Sequence, residues 1–108
     1  MHSFFVKTCD RWQLVIPSDI LWISKSSAQP NYLSICTLEA SWQTRMSLSK
    51  MEHILPKEEF LRIHKSYLVS LKHIRTVSRN FGHVMIHNKR IPIGEAYTKQ
   101  LRTALTFV

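Results

Sequence analysis

Hydrophobic and polar positions in the first half of the chain alternate as strands do. Phe4, Phe5 and Val6 open a β-prone stretch that reaches Cys9, Asp10 and Arg11 suit a turn, and Trp12 to Ile16 reads as a second strand stopped by Pro17. After a turn at Pro17, Ser18 and Asp19, the run Ile20-Leu21-Trp22-Ile23 is apolar on both faces, which predicts a strand in the middle of the fold. Residues 24–31, SKSSAQPN, have no periodic apolar face and read as a loop. In YLSICTL, Leu33 and Ile35 point one way while Tyr32, Ser34 and Cys36 point the other. With a tight connection at Glu39, Ala40 and Ser41, residues 31–46 form a hairpin.

The period then changes. Leu48, Met51 and Leu55 recur at helical spacing between a suitable N-cap, Ser47, and a stop, Pro56, which predicts a short helix over 48–55 lying on a sheet. Phe60 to Ile63 suits a strand, whereas Tyr67, Leu68 and Leu71 have the spacing of a helical turn. Ile74 and Val77 resume an extended pattern, and Asn80 and Gly82 mark a turn. A compact hairpin follows, HVMIH and RIPI about a turn at Asn88 and Lys89, with Pro92 placing its last strand at an edge. Tyr97, Leu101, Leu105 and Val108 repeat every four residues, one face of a C-terminal helix beginning near Gly94. The fold class is therefore mainly β, with one short central helix and a short C-terminal helix, and residues 1–108 read as one domain. Adjacent helices of a helix-turn-helix are missing, so any base-reading groups must come from strands or loops.

Charge changes the picture most. Fifteen Lys and Arg face seven Asp and Glu, a formal +8 on 108 residues, and such an excess attracts polyanions: DNA or RNA first, an anionic membrane surface second. The two cysteines, Cys9 and Cys36, form no CxxC and read as ordinary reduced thiols. No apolar run approaches the length of a bilayer span, and MHSFFVKTCDRW lacks a signal-peptide core, so a cytoplasmic location is expected. Enzyme motifs are absent: no GxSxG, no phosphate-binding loop, and only two glycines in all. Six histidines offer no HExxH spacing, and there is no Cys pair to complete a tetrahedral site, so neither a metal nor another cofactor is expected. Trp12, Trp22 and Trp42 have the chemistry of stacking platforms for single-stranded nucleic acid, but at strand positions they are expected in the core.

The segment FLRIHKSYLVSLKHI, residues 60–74, resembles the hallmark of the LytTR family of DNA-binding domains, Phe-x-Arg-x-His-Arg-Ser-Tyr-Leu-Val-Asn. Phe60, Arg62, His64, Ser66, Tyr67, Leu68 and Val69 match it directly, while Lys65 stands for the usual Arg and Ser70 for the usual Asn. Further blocks agree in order: Asp19 to Ile23, Asn31-Tyr32-Leu33, Ser47 through Pro56, and Ile91-Pro92-Ile93 with Tyr97, so that the resemblance spans residues 19–105.

The resemblance implies an elongated stack of small antiparallel sheets that reads double-stranded DNA, in bacterial transcription regulation, through loops at one edge. Three contact regions follow from it: the loop before Asn31 and Tyr32; His64, Lys65 and Ser66; and Gly94 with Glu95. The third departs from the family's Ser-Arg, since a carboxylate is repelled by phosphate yet can accept from a cytosine amino group. Lys25, Lys65, Lys72, Arg90 and Lys99 are the candidates for neutralising phosphates. Asn31 has the donor and acceptor of a base reader, and equally the habits of a turn residue. Tyr32 suits sugar-phosphate packing or half-buried sheet filling. The resemblance further implies pairing of two copies on promoter repeats and a receiver or sensor domain upstream. The competing readings are an RNA or single-strand binding module and a basic protein-interaction domain.

Overall fold

In the computed structural model, which describes residues 2–108, a central five-stranded antiparallel sheet separates two apolar cores. Its strands are β3 (Ile20–Lys25), β4 (Tyr32–Thr37), β5 (Ser41–Arg45), β6 (Phe60–His64) and β7 (Tyr67–Ser70), in the order β5-β4-β3-β7-β6. The doubly apolar run thus occupies the middle, as its pattern requires: Ile20 and Ile23 enter one core, Leu21 the other. On one side lie the hairpin of β1 (Phe4–Lys7) and β2 (Trp12–Val15) and helix α1 (Leu48–Ile54), which contribute Val6, Val15, Leu48 and Met51 to the first core. On the other lie the sheet β8 (Thr76–Val77), β9 (His83–Ile86) and β10 (Lys89–Pro92), and helix α2 (Thr98–Ala104). They contribute Val84, Ile86, Ile91 and Leu101 to the second core. Each such side chain contributes roughly 1.5–3 kcal/mol by leaving water. The stack is elongated, 45 × 28 × 25 Å.

Local chemistry accounts for the element ends. Ser47 caps α1 by accepting from the Lys50 amide N–H at 3.1 Å, and Leu55 before Pro56 is already extended. Pro92 lies on β10, an edge strand of its sheet, where its missing N–H costs nothing.

Four expectations need correction. Residues 67–70 form strand β7, not a helical turn; Leu68 and Val69 are buried in opposite cores, and that demand outweighs the weak four-residue spacing. Only Leu71–His73 coils, as a single 3-10 turn. The last hairpin turns at His87 and Asn88, one residue early, with His87 at φ 52°. The C-terminal helix is shorter than its apolar repeat: a 3-10 turn at Glu95–Tyr97 leads into α2, and Val108 is exposed beyond it. Trp12 is not core but 65% exposed. Val15 must face inward on the same strand, and three residues away the parity of a strand turns Trp12 outward. Trp22 and Trp42 are half-buried against the second and first cores respectively.

Candidate nucleic-acid interface

One end of the central sheet gathers three segments distant in sequence. The first is the loop between β3 and β4. Its stem is closed by the Ser26 N–H donating to the Tyr32 carbonyl at 2.9 Å, and Ser26 Oγ accepts from the Ala28 and Gln29 N–H groups at 3.2 Å each, a local turn that serine favours. Asn31 closes the loop at φ 66°, a left-handed conformation that asparagine tolerates better than most residues. That alone accounts for an asparagine here; its exposed side chain remains free to serve a second purpose.

The second segment is the β6–β7 turn, His64 to Ser66. The Lys25 N–H donates to the Ser66 carbonyl at 3.0 Å, which joins this turn to the first loop. His64 Nδ1 accepts from the Ser66 N–H at 3.1 Å, so the neutral ring carries its proton on Nε2. The ring sits edge-on to Tyr67, centroids 5.7 Å apart, and the Lys89 ammonium lies 5.9 Å over the other aromatic ring. His64 is held by this packing, while Lys65 is exposed.

The third segment follows β10. The Gly94 N–H donates to the Ile63 carbonyl at 2.8 Å, one residue before His64. A side chain on Gly94 would meet the Tyr97 ring at 3.0 Å and approach the His64 backbone, so glycine here answers to close packing. Glu95 and Lys99 are exposed beside it, at the 3-10 turn and the first turn of α2.

The remaining candidates lie elsewhere. Arg90 sits opposite Met85, close to the His87–Asn88 turn. His87 lines a cleft with Asp19, Glu39 and His73 at the far end of the central sheet. Lys72, in the 3-10 turn after β7, is at that far end as well. Burial and the neighbouring Lys72 and Arg75 charges hold the His73 ring below its ordinary pKa, against a bond to the Ser18 carbonyl that raises it. Lys25, Arg45 and Lys65 thus lie at the loop end, and Asp19 and Glu39 lie at the other together with Lys72.

Three residues of this end were not singled out by sequence reasoning. Arg45 is exposed and directly opposite Tyr32 in the β4–β5 register. Lys7 is exposed nearby, its carbonyl accepting from Thr44 Oγ1 at 2.8 Å, and Lys7, Tyr32 and Arg45 line one shallow cleft. Only the strand register reveals this proximity. Arg62 is the third. Its guanidinium donates to the Lys65 carbonyl at 2.6 Å and, at the longer distance of 3.4 Å, to the His64 carbonyl and to Ser49 Oγ, with Glu52 at 3.6 Å. It ties the His64–Ser66 turn to α1. The signal for it was its place in the Phe-x-Arg-x-His block, where a forked donor can hold a turn from within.

Among the described residues no group of three His, Cys, Asp or Glu side chains is placed to hold a metal ion, and no helix is long and apolar enough to cross a membrane. Cys9 and Cys36 are free, and burial pushes the Cys36 thiol up, with the Lys89 charge opposing; a thiol so placed is poorly nucleophilic.

The chain is similar to known proteins along almost its whole length. The model of the LytTr DNA-binding domain matches residues 10–106. The sensory transduction protein LytT of Bacillus subtilis is 23% identical over 108 residues, covering 96% of this chain and 44% of the relative. LytR of Streptococcus mutans is 27% identical over 88 residues, covering 78% and 36%, and the CO-responsive transcriptional regulator RcoM of Rhodospirillum rubrum is 34% identical over 65 residues, covering 56% and 28%. Among solved structures, the LytTr DNA-binding domain of a methyl-accepting/DNA response regulator from Bacillus cereus superposes with a TM-score of 0.81 at 25% identity, covering 97% of both chains. This chain therefore spans less than half the length of these curated relatives.

Proposed function

This chain belongs to the LytTr DNA-binding domain family, and on that premise we propose that it binds double-stranded DNA sequence-specifically, for transcription regulation, through the loop end of its central sheet. The family is a non-catalytic DNA-binding module, so the work to be explained is recognition. The carrying observation is the pair of backbone bonds, Lys25 to Ser66 and Gly94 to Ile63, that fasten three exposed segments into one end. That end carries Lys25, Arg45 and Lys65, whose side chains neutralise phosphates and release counterions. Asn31 and Tyr32 stand between them, the first offering an amide to base edges, the second a ring to the sugar-phosphate backbone. His64 Nε2–H and Ser66 supply fixed donors for the backbone.

In this reading the chain is the DNA-reading part of a cytoplasmic regulator, two copies reading promoter repeats, with the input received by a separate segment or partner. The test is selection of bound duplexes from a random pool at two salt concentrations, with single strands as competitor. A shared sequence element and preference for duplex are expected; equal retention of single strands overturns the reading.

Two substitutions probe single contacts. Asn31→Gly keeps the left-handed backbone and removes the amide. Discrimination between preferred and altered sites should fall by about 1–3 kcal/mol with little change in folding stability. If binding to both site classes is unaffected, Asn31 serves the turn alone. Glu95→Arg replaces a carboxylate by a cation on the third segment. The salt dependence of duplex binding should steepen by about one unit, with tighter binding; an unaltered slope removes this segment from the interface.

A further inference from the structure

An antiparallel sheet with one face on a core ordinarily turns polar residues outward. The outward positions of β5 obey this, with Ser41, Gln43 and Arg45. The β1–β2 hairpin does not. Its inner face gives Val6 and Val15 to the core, and its outer face presents Phe5 (61% exposed), Trp12 (65%), Leu14 and Ile16. Phe5 sits opposite Leu14, and Lys7 opposite Trp12, so these side chains form one continuous face.

We infer that this outer face of the β1–β2 hairpin is the surface on which a second copy of the chain docks. At these exposures the four side chains leave on the order of 400 Å² of apolar surface per copy, in the range at which an exposed patch marks an interaction site. Two copies face to face bury about 800 Å² from these residues alone, and their rims bring the total toward the roughly 1,200 Å² at which specific interfaces begin. Tryptophan and phenylalanine are the residues that carry the centre of such interfaces.

The charges choose the occupant. Among the described residues Lys7 carries the only charged side chain on the paired strands' outer face, and at the hairpin tip Arg11 is neutralised by Asp10 at 3.0 Å. A lipid surface calls for a basic rim around the apolar residues, which this face lacks. A two-fold axis in the plane of contact, across the strands, is self-complementary. It stacks the Phe5–Leu14 row on itself, sets Trp12 over the partner's Ile16, and keeps the two Lys7 ammonium groups apart. The +8 chain can thus pair here without opposing its phosphate-binding end.

Sedimentation equilibrium of the DNA-free chain tests this. The average mass should rise from that of one chain toward two between low and high micromolar concentration. The Trp12→Ser/Leu14→Ser variant should keep the one-chain mass throughout, with an unaltered circular dichroism spectrum. Should the two serines unfold the hairpin, the single exposed change Leu14→Lys gives the same comparison. A wild-type chain that stays at one-chain mass overturns the inference, as does a folded variant that associates as the wild type does. Capture by neutral lipid vesicles of a chain that never dimerises assigns the face to lipid instead, and also overturns it.

Discussion

Arg62→Ala is expected to lower folding stability by about 2 kcal/mol, a fall of roughly 8–12 °C in Tm, and to weaken duplex binding beyond what that loss of fold explains. The guanidinium side chain is 17% exposed and reaches four acceptors. Truncation leaves the Lys65 carbonyl without its 2.6 Å donor, and hydrogen bonds to a charged group contribute about 1.5–3 kcal/mol, the lower part of that range applying here because water can reach the exposed turn. The Glu52 pairing adds little, because that carboxylate is 44% exposed and water takes over. The larger consequence is positional. With nothing holding the His64–Ser66 turn to α1, Lys65 samples many orientations, and each contact it makes costs more entropy. Thermal melts and duplex titration below the melting range separate the two effects. Arg62→Lys should restore charge but not the fork, so binding should stay impaired; full recovery with lysine would show that Arg62 acts only as a charge.

Much of the scaffold was legible because its strands are buried in ways that constrain their sequence. Ile20 to Ile23 is apolar on both sides because it lies between two cores, and Leu33 and Ile35 alternate with polar neighbours because β4 meets the first core through one face. Tyr67–Ser70 was misread because a four-residue strand buried on both faces has no periodicity of its own; its apolar pair matches a helical turn equally well. Trp12 was misread because composition says nothing of which face a strand residue takes, and only the inward demand of Val15 decides it. At the loop end, His64, Lys65 and Ser66 could be singled out because they are contiguous in a recognisable block. Arg45 and Lys7 could not, since what brings them to Tyr32 is strand register and a hydrogen bond from Thr44, neither written in local sequence. Conversely, Arg90 and Lys72 looked equivalent to Lys65 as charges, and the topology alone separates them.

The sharpest consequence of that separation is the triple variant Lys25→Ala/Arg45→Ala/Lys65→Ala, which is expected to lose roughly two to three orders of magnitude in duplex affinity at low salt. The slope of log affinity against log salt should fall by about three, since each lost phosphate contact removes about 0.9 of a unit. All three side chains are exposed, so folding stability should move by no more than about 0.5 kcal/mol for each. The Lys25 N–H bond to Ser66 is a backbone bond and survives the substitution. A matched variant, Lys57→Ala/Lys72→Ala/Arg90→Ala, removes the same net charge from elsewhere. Lys57 precedes the end of β6 that pairs with Ser70, and Lys72 follows that same strand end. If binding depends on a localised edge shaped for a duplex, this control should keep nearly all of the slope, losing only the weak long-range attraction that salt screens within about 10 Å. Equal losses in the two variants would mean that affinity follows the overall +8 and not its placement, and the interface would have to be sought away from the loop end.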